Sequence, residues 1–103
     1  MDKKKENIKN SLLKQLKSRG NISDFYIDLV NDYISMWEIK NQLIEDIKVR
    51  GVSVPYQNGA NQHGAKKNDS IRELTTINRQ MLVILRDLGI KAQEEAGSGN
   101  FEL

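Results

Sequence analysis

The sequence predicts an all-α protein: a long antiparallel helical hairpin with a short N-terminal helix, assembling as an oligomer. Apolar residues recur every three or four positions in three separate stretches, which is the period that places side chains on one face of an α-helix. The middle stretch runs for about 27 residues without Gly or Pro. The apolar surface of that stretch exceeds what one neighbouring helix buries, which favours self-association.

The first predicted helix covers roughly residues 5–17. Ile8, Leu12 and Leu16 recur every four residues and form one apolar face. The other positions are mostly Lys, Asn and Gln. Gly20 is the residue type that commonly ends a helix in a left-handed conformation, so we expect this helix to stop just before it.

The second predicted helix begins at Ser23, whose side chain is expected to cap the first amides. It ends at Gly51 and should be about 40 Å long at 1.5 Å per residue. Its apolar residues form two stripes, and the first has the spacing of a coiled-coil seam. The first stripe contains Tyr26, Val30, Tyr33, Trp37, Ile44 and Ile47; the second contains Phe25, Leu29, Met36 and Leu43, with Ile39 nearby.

The third predicted helix covers residues 70–88 and follows a long connection, the loop 51–69. Within that loop residues 52–54 fit a short strand, and Asn58-Gly59 is a hairpin turn signal. Asn68 or Asp69 is expected to cap the third helix. Its seam residues are Leu74, Met81, Leu85 and Leu88, and Gly89 is its expected stop.

The second stripe of the long helix can be buried in two alternative ways. Either a neighbouring copy of the chain packs against it, or the short first helix folds back over it in a three-helix monomer. We expect the first, because the short helix offers few apolar residues. The predicted oligomer interface consists of Phe25, Leu29, Met36, Trp37 and Leu43.

Charge is unevenly distributed. The chain holds 16 Lys and Arg against 14 Asp and Glu, a net charge of +2. Residues 1–19 alone carry a net charge of +5, and residues 20–50 carry −3. A basic N-terminus fits contact with nucleic acid and equally fits a solvated helix face. The candidate DNA-binding residues are Lys3, Lys4, Lys5, Lys9, Lys14, Lys17, Arg19, Lys66 and Lys67.

Three arginines, Arg72, Arg79 and Arg86, lie seven residues apart and therefore share one face of the third helix. In a ring such stripes could face DNA, but we expect the arginines to pair within the chain with acidic residues of the second helix. The expected partners are Glu45, Glu38 and Asp32.

A helix-turn-helix fits residues 12–30 loosely. The helix that would enter the DNA groove begins with Asp24 and Asp28, whose carboxylates repel phosphate. We therefore reject that docking and place DNA contact on the lysines.

The sequence shows no chemistry for catalysis. It has no cysteine and a single histidine, His63 in the polar loop. It contains no phosphate-binding glycine motif, and no second ligand lies at metal spacing from the histidine. We therefore expect no enzyme activity, metal or cofactor. The apolar runs are also too short to span a bilayer, which needs roughly 20 residues.

The order of features resembles the phage terminase small subunits. The matching marks are Gly51 at the end of the long helix, a Gly/Asn-rich loop, Lys67-Asn68 opening the last helix, Arg79, and the ending Leu88-Gly89-Ile90. Asp69 stands where that family usually has proline. It still suits a helix N-terminus.

The resemblance implies an oligomeric, ring-forming DNA-binding subunit without catalytic activity. Such a subunit recognises viral double-stranded DNA and delivers it to the large ATPase/nuclease subunit for genome packaging in the cytoplasm of the infected bacterial host. We expect residues 1–21 to contact DNA, 22–91 to form the oligomerisation core, and 92–103 to be a flexible tail. The alternative is a helical-hairpin interaction module that binds protein and no DNA.

Overall fold

The structure, a computed structural model, describes residues 3–57, 59 and 63–90. In chain order it contains helix α1 (Lys3–Ser18), helix α2 (Asp24–Arg50), strand β1 (Ser53–Gln57), strand β2 (His63–Lys67) and helix α3 (Asp69–Asp87). The predicted tail, residues 92–103, lies outside the described residues, as does Asn58 of the predicted turn. The predicted mainly helical fold is confirmed.

The all-α prediction is wrong in one respect, because the loop 51–69 contains a two-stranded antiparallel sheet. Ser53 pairs with Lys67, and the register continues to Gln57 opposite His63. The strand expected at residues 52–54 is present but covers Ser53–Gln57, so it begins one residue later and ends three residues later than expected. Val54 of β1 is buried, with 7% of its surface exposed. The short-strand signal was local and correct, whereas the lysine-rich partner strand has no apolar pattern to reveal it.

Helices α1 and α3 end in the same way. At the end of α1, Asn21 N–H donates to the Leu16 carbonyl at 2.8 Å and Gly20 N–H donates to Lys17 at 3.1 Å. At the end of α3 the equivalent bonds run from Ile90 to Leu85 and from Gly89 to Arg86, both at 2.9 Å. This is the Schellman pattern, and both glycines have the positive φ that it requires (79° and 74°). The two predicted glycine stops are confirmed.

The two predicted N-caps differ in outcome. Asn68 occupies the N-cap of α3, and its side chain accepts a hydrogen bond from Ser70 N–H. Ser23 occupies the N-cap of α2 but its side chain makes no capping hydrogen bond. The expectation of a Ser23 side-chain cap is therefore wrong, and the first turn relies on the negative charge of Asp24 near the helix dipole.

The core lies where all three helices meet. Its buried members come from α1, from the first half of α2 and from the end of α3. They are Leu12, Leu16, Val30, Ile34, Ile84, Leu88 and Ile90. Leu16, Val30 and Leu88 are almost completely buried. Tyr33 packs against this core half-buried, and burial raises the pKa of its phenol.

Contacts at the two ends of α2 define the chain direction. Ser70, at the start of α3, hydrogen-bonds Asp46 near the end of α2. At the opposite end, Leu88 shares the core with Val30. Helix α3 therefore runs back along α2. Helix α1 also runs opposite to α2, because Lys5 pairs with Glu38 while Leu16 packs in the same core as Val30.

Candidate nucleic-acid interface

The cations of α1 fall into two groups. Lys5 forms an ion pair with Glu38 at 3.0 Å, and the guanidinium of Arg19, just after the helix, donates to the Gly89 carbonyl. Lys9 is half-buried. The Lys5 and Arg19 side chains therefore already contact other parts of the chain. Four predicted DNA-binding lysines of α1 remain exposed: Lys3, Lys4, Lys14 and Lys17.

The exposed lysines define an outward face. Lys3 and Lys14 are eleven residues apart, close to three full turns, and Lys17 follows one turn later. The apolar face of the same helix, with Leu12 and Leu16, is buried in the core. Lys4 lies elsewhere, along a groove that it shares with Trp37 and Lys48 of α2. The outward face of α1 is therefore Lys3, Lys14 and Lys17, about 21 Å from end to end at 1.5 Å per residue.

A second basic position lies on strand β2. Lys66 and Lys67 are both exposed, opposite Val54 and Ser53 of β1. The ammonium of Lys66 lies 3.9 Å from a carboxylate oxygen of Asp69. That contact is long and solvated, so it holds the Lys66 side chain only weakly.

A polar cluster fixes strand β2 to the helices. Asn68, which follows the strand, is 0% exposed. Its amide nitrogen donates to the Gly51 carbonyl at 3.0 Å and to Asp46 at 3.2 Å. Its amide oxygen accepts from Ser70 N–H at 3.0 Å and from Arg50 at 3.1 Å. Every hydrogen-bonding position of this buried amide is used, so the end of α2 and the start of α3 are held together through one side chain.

Asp46 carries the charge of that cluster. Its carboxylate accepts two hydrogen bonds from Arg50, at 2.6 and 2.8 Å, and one from the Ser70 hydroxyl at 2.6 Å. These bonds favour the ionised form and hold the pKa of Asp46 well below its usual range, the bond from Arg50 contributing most. The same bond raises the pKa of Arg50. The cluster therefore stays ionised across the physiological pH range.

The arginines of α3 point away from the core. Arg72, Arg79 and Arg86 are all exposed. Arg72 reaches only Asp69 of its own helix, at 3.9 Å. Within the described residues none of the three pairs with α2, so the expected pairs with Glu45, Glu38 and Asp32 are not formed. Their seven-residue spacing puts them on the face opposite Met81 and Ile84, which pack inward.

A family model described as phage terminase, small subunit, matches residues 9–99. The chain belongs to the phage terminase small-subunit family. The match includes most of α1, the sheet, the polar cluster and all of α3. Membership implies a role in phage DNA packaging and association with DNA and with a large terminase subunit. No curated protein sequence matches the chain, and no solved structure matches it.

The predicted oligomer-interface residues differ in their surroundings. Phe25 is 66% exposed. Leu29 and Met36 are half-buried against the core. Trp37 lines a groove of about 540 Å³ with Lys4 and Ile44, and Leu43 lines another beside α3. Only Phe25 of this set projects its side chain mainly into solvent.

The part of the chain that the structure describes contains no group of three or more His, Cys, Asp or Glu side chains placed to hold a metal ion. Among the same residues, no helix is both long and apolar enough to cross a membrane.

Sequence reasoning missed the polar cluster. Two signals were present in the sequence: Asp46 and Arg50 stand four residues apart on one helix face, and Asn68 is a good N-cap type. Neither signal reveals that one buried amide joins them. The side chains meet only because the sheet brings Asn68 back to the end of α2.

Proposed function

We propose that this chain is the non-catalytic small subunit of a phage terminase. It assembles with copies of itself into a ring, binds viral double-stranded DNA, and delivers it to the large ATPase/nuclease subunit in the cytoplasm of the infected bacterial host. The family match over residues 9–99 carries this proposal. The basic surface of α1 supports it and supplies a physical means of holding DNA.

We infer that DNA lies against the outward face of α1. Lys3, Lys14 and Lys17 are exposed on one side of the helix. Lysine ammonium groups neutralise phosphates without reading the bases, so this face supplies affinity and not sequence recognition. Copies in a ring add these faces together, which converts a weak site on one subunit into a strong one.

Lys66 and Lys67 extend the proposed surface to strand β2. They are exposed, and the buried Asn68 next to them holds their strand in place. The other predicted DNA-binding residues are expected to contribute less to DNA binding: Lys4, Lys5, Lys9 and Arg19. Lys5 and Arg19 already contact Glu38 and Gly89, so binding DNA through them would break those contacts.

The face of α2 nearest its N-terminus is unsuited to DNA. Asp24, Asp28 and Asp32 are all exposed there. An array of carboxylates repels the phosphate backbone. In the proposed complex α2 therefore does not enter a DNA groove as a helix-turn-helix protein would.

The proposal is tested by titrating fluorescently labelled duplex DNA with the protein over a series of salt concentrations. Each phosphate contact contributes about 0.9 to the slope of log affinity against log salt. We expect replacement of Lys3, Lys14 and Lys17 by Gln to reduce that slope by up to about 2.7 per bound copy.

A control replaces Lys40 and Lys48 of α2 by Gln, which removes two lysine charges but leaves the outward face of α1 intact. The control should keep the wild-type slope. Equal slopes for the wild type and the α1 variant would contradict the proposed surface. If replacement of Lys66 and Lys67 by Gln abolishes DNA binding and the α1 variant does not, the DNA-binding surface lies on the sheet.

The second candidate is a helical interaction module without DNA binding. Exposed apolar side chains such as Phe25 and Leu82, both 66% exposed, favour a protein partner. Its test is the same titration: a wild-type protein that binds no duplex DNA at low salt yet binds the large subunit would favour this candidate.

A further inference from the structure

The outer face of α3 carries a regular pattern. Arg72, Thr75, Arg79, Leu82 and Arg86 follow one another at alternate spacings of three and four residues. All five are exposed, and Leu82 is 66% exposed. Alternating three- and four-residue spacing is the pattern by which a helix packs along a second helix. We call these five residues the basic seam.

The outer face of α2 carries the same pattern with the opposite charge. Phe25, Asp28, Asp32, Ser35 and Ile39 also alternate between spacings of three and four. All five are exposed; Phe25 is 66% and Ile39 44% exposed. We call these five residues the acidic seam.

Neither seam is satisfied within one chain. Among the described residues, Asp28, Asp32, Arg79 and Arg86 form no ion pair, and Arg72 reaches only Asp69. Like charges one turn apart, such as Asp28 and Asp32, also destabilise an isolated helix. Each seam therefore exposes an unneutralised row of charge beside an apolar side chain.

We propose that the basic seam of one copy packs along the acidic seam of the next copy. This proposal rests on the proposed function, because it supplies the contact that builds the oligomer. The end residues of each seam are fourteen positions apart, so both seams are about 21 Å long at 1.5 Å per residue. Period and length match, and the charges are opposite in sign, three arginines against two aspartates.

The central residues identify the pairing. Asp32 is the third of five residues in its seam, and Arg79 is the third of five in the other. When two seams of equal length are aligned, their central residues face each other whether the helices run parallel or antiparallel. Asp32 of one copy and Arg79 of the next are therefore the partners that decide the contact.

Duplex DNA fits the basic seam less well than a second copy does. Phosphates would neutralise Arg72, Arg79 and Arg86, but the sugar-phosphate backbone would not bury Leu82. DNA also leaves the acidic seam, with Phe25, without a partner. A second copy accounts for both seams with one contact.

The proposed contact joins two different surfaces. Each copy therefore binds one neighbour through its basic seam and another neighbour through its acidic seam. Such head-to-tail contacts continue until they close into a ring or form a filament. Lys3, Lys14 and Lys17 belong to neither seam. They remain available to DNA in the assembly.

The test reverses the charge of the central residue of each seam. The mass of each variant is measured by light scattering on a sizing column without DNA. We expect Asp32→Arg and Arg79→Asp each to raise the protein concentration needed for assembly at least about tenfold, because like charges then face each other. The double variant in one chain and an equimolar mixture of the two single variants should both assemble as the wild type does. In the mixture, alternating copies make every central pair complementary in a filament or in a ring with an even number of subunits.

The matched control is Asp87→Arg, which makes the same change of charge on an exposed residue outside the seam. It should assemble as the wild type does. Helix content, measured by circular dichroism, should be unchanged in all variants because every position is exposed. A wild-type protein that stays monomeric, or single variants that assemble normally, would overturn the proposal. Impaired single variants with a double variant that does not recover would overturn it as well.

Cross-linking gives an independent answer. The chain has no cysteine, so only introduced thiols can react. We expect the Asp32→Cys and Arg79→Cys variants, mixed and oxidised, to form an interchain disulfide, which requires Cα atoms within about 7 Å. Gln80→Cys, one residue away on a different face, should not cross-link with Asp32→Cys. Equal cross-linking by both would refute the predicted alignment.

These experiments separate this proposal from the proposed function. If Arg79→Asp loses DNA affinity without any change in mass, the basic seam is a DNA surface and the seam pairing is wrong. If the seams pair as described but the wild type binds no DNA, the packaging role is wrong and the pairing stands.

Discussion

Replacement of Asn68 by alanine is the most direct test of how the end of α2 is joined to α3. The Asn68 side chain is completely buried and makes four hydrogen bonds to four groups. Alanine keeps the backbone and removes all four at once. The Gly51 carbonyl and the Ser70 amide lose their partner in a place that water reaches poorly.

The expected cost follows from two contributions. Loss of an N-cap side chain costs about 1 kcal/mol. Leaving a buried polar group unsatisfied costs about 1–2 kcal/mol more. We therefore expect Asn68→Ala to lower the free energy of unfolding by about 2–3 kcal/mol. At about 4–8 °C per kcal/mol, Tm should fall by roughly 10–20 °C.

The assay is urea unfolding followed by circular dichroism, at one fixed protein concentration because assembly contributes to apparent stability. Asn31→Ala is the matched control, since Asn31 is exposed on α2. It should change the free energy of unfolding by less than about 0.5 kcal/mol. If Asn68→Ala is as stable as this control, the polar cluster does not hold the sheet and helices together.

Three further predictions follow from named contacts. The lowered pKa of Asp46 means that its ionised form stabilises the fold at pH values above the unfolded-state pKa of ~4. This stabilisation is lost as the pH falls toward the folded-state pKa. The difference in free energy of unfolding between the wild type and Asp46→Asn, measured by urea unfolding, should therefore narrow from pH 7 to pH 3. Leu16→Ala should lower the free energy of unfolding by about 3–5 kcal/mol, because Leu16 is 1% exposed in the core; a loss below 1 kcal/mol would mean that α1 does not pack there. Lys5→Gln should change it by less than about 1 kcal/mol, because the pair with Glu38 is partly solvated, and a larger loss in thermal unfolding would contradict this.

Helix α1 has two roles within one short sequence. Its inner face supplies Leu12 and Leu16 to the core, and its outer face supplies the proposed DNA contact. The two roles are compatible because they use opposite sides of the helix. A variant that removes only Lys14 and Lys17 should therefore leave stability almost unchanged, which keeps a DNA-binding test free of unfolding.

The sequence by itself determined the elements that depend on neighbours a few residues away. The three helices, the glycine ends at Gly20 and Gly89, and the Asn68 cap follow from periods and residue types that act within one or two turns. The family resemblance also came from such local marks, and the family match confirms it. These features are readable because their partners are close in sequence.

The tertiary structure decided which charges are already engaged. Lys5 meets Glu38 across 33 residues, and Asn68 meets Asp46 across 22. No local pattern specifies such pairs, because they depend on how α1 and the sheet pack on α2. The same packing left the arginines of α3 facing solvent, where the sequence had suggested pairs within the chain. Which cations remain available to DNA or to a neighbouring copy is thus a property of the folded chain, since it depends on what lies opposite each side chain.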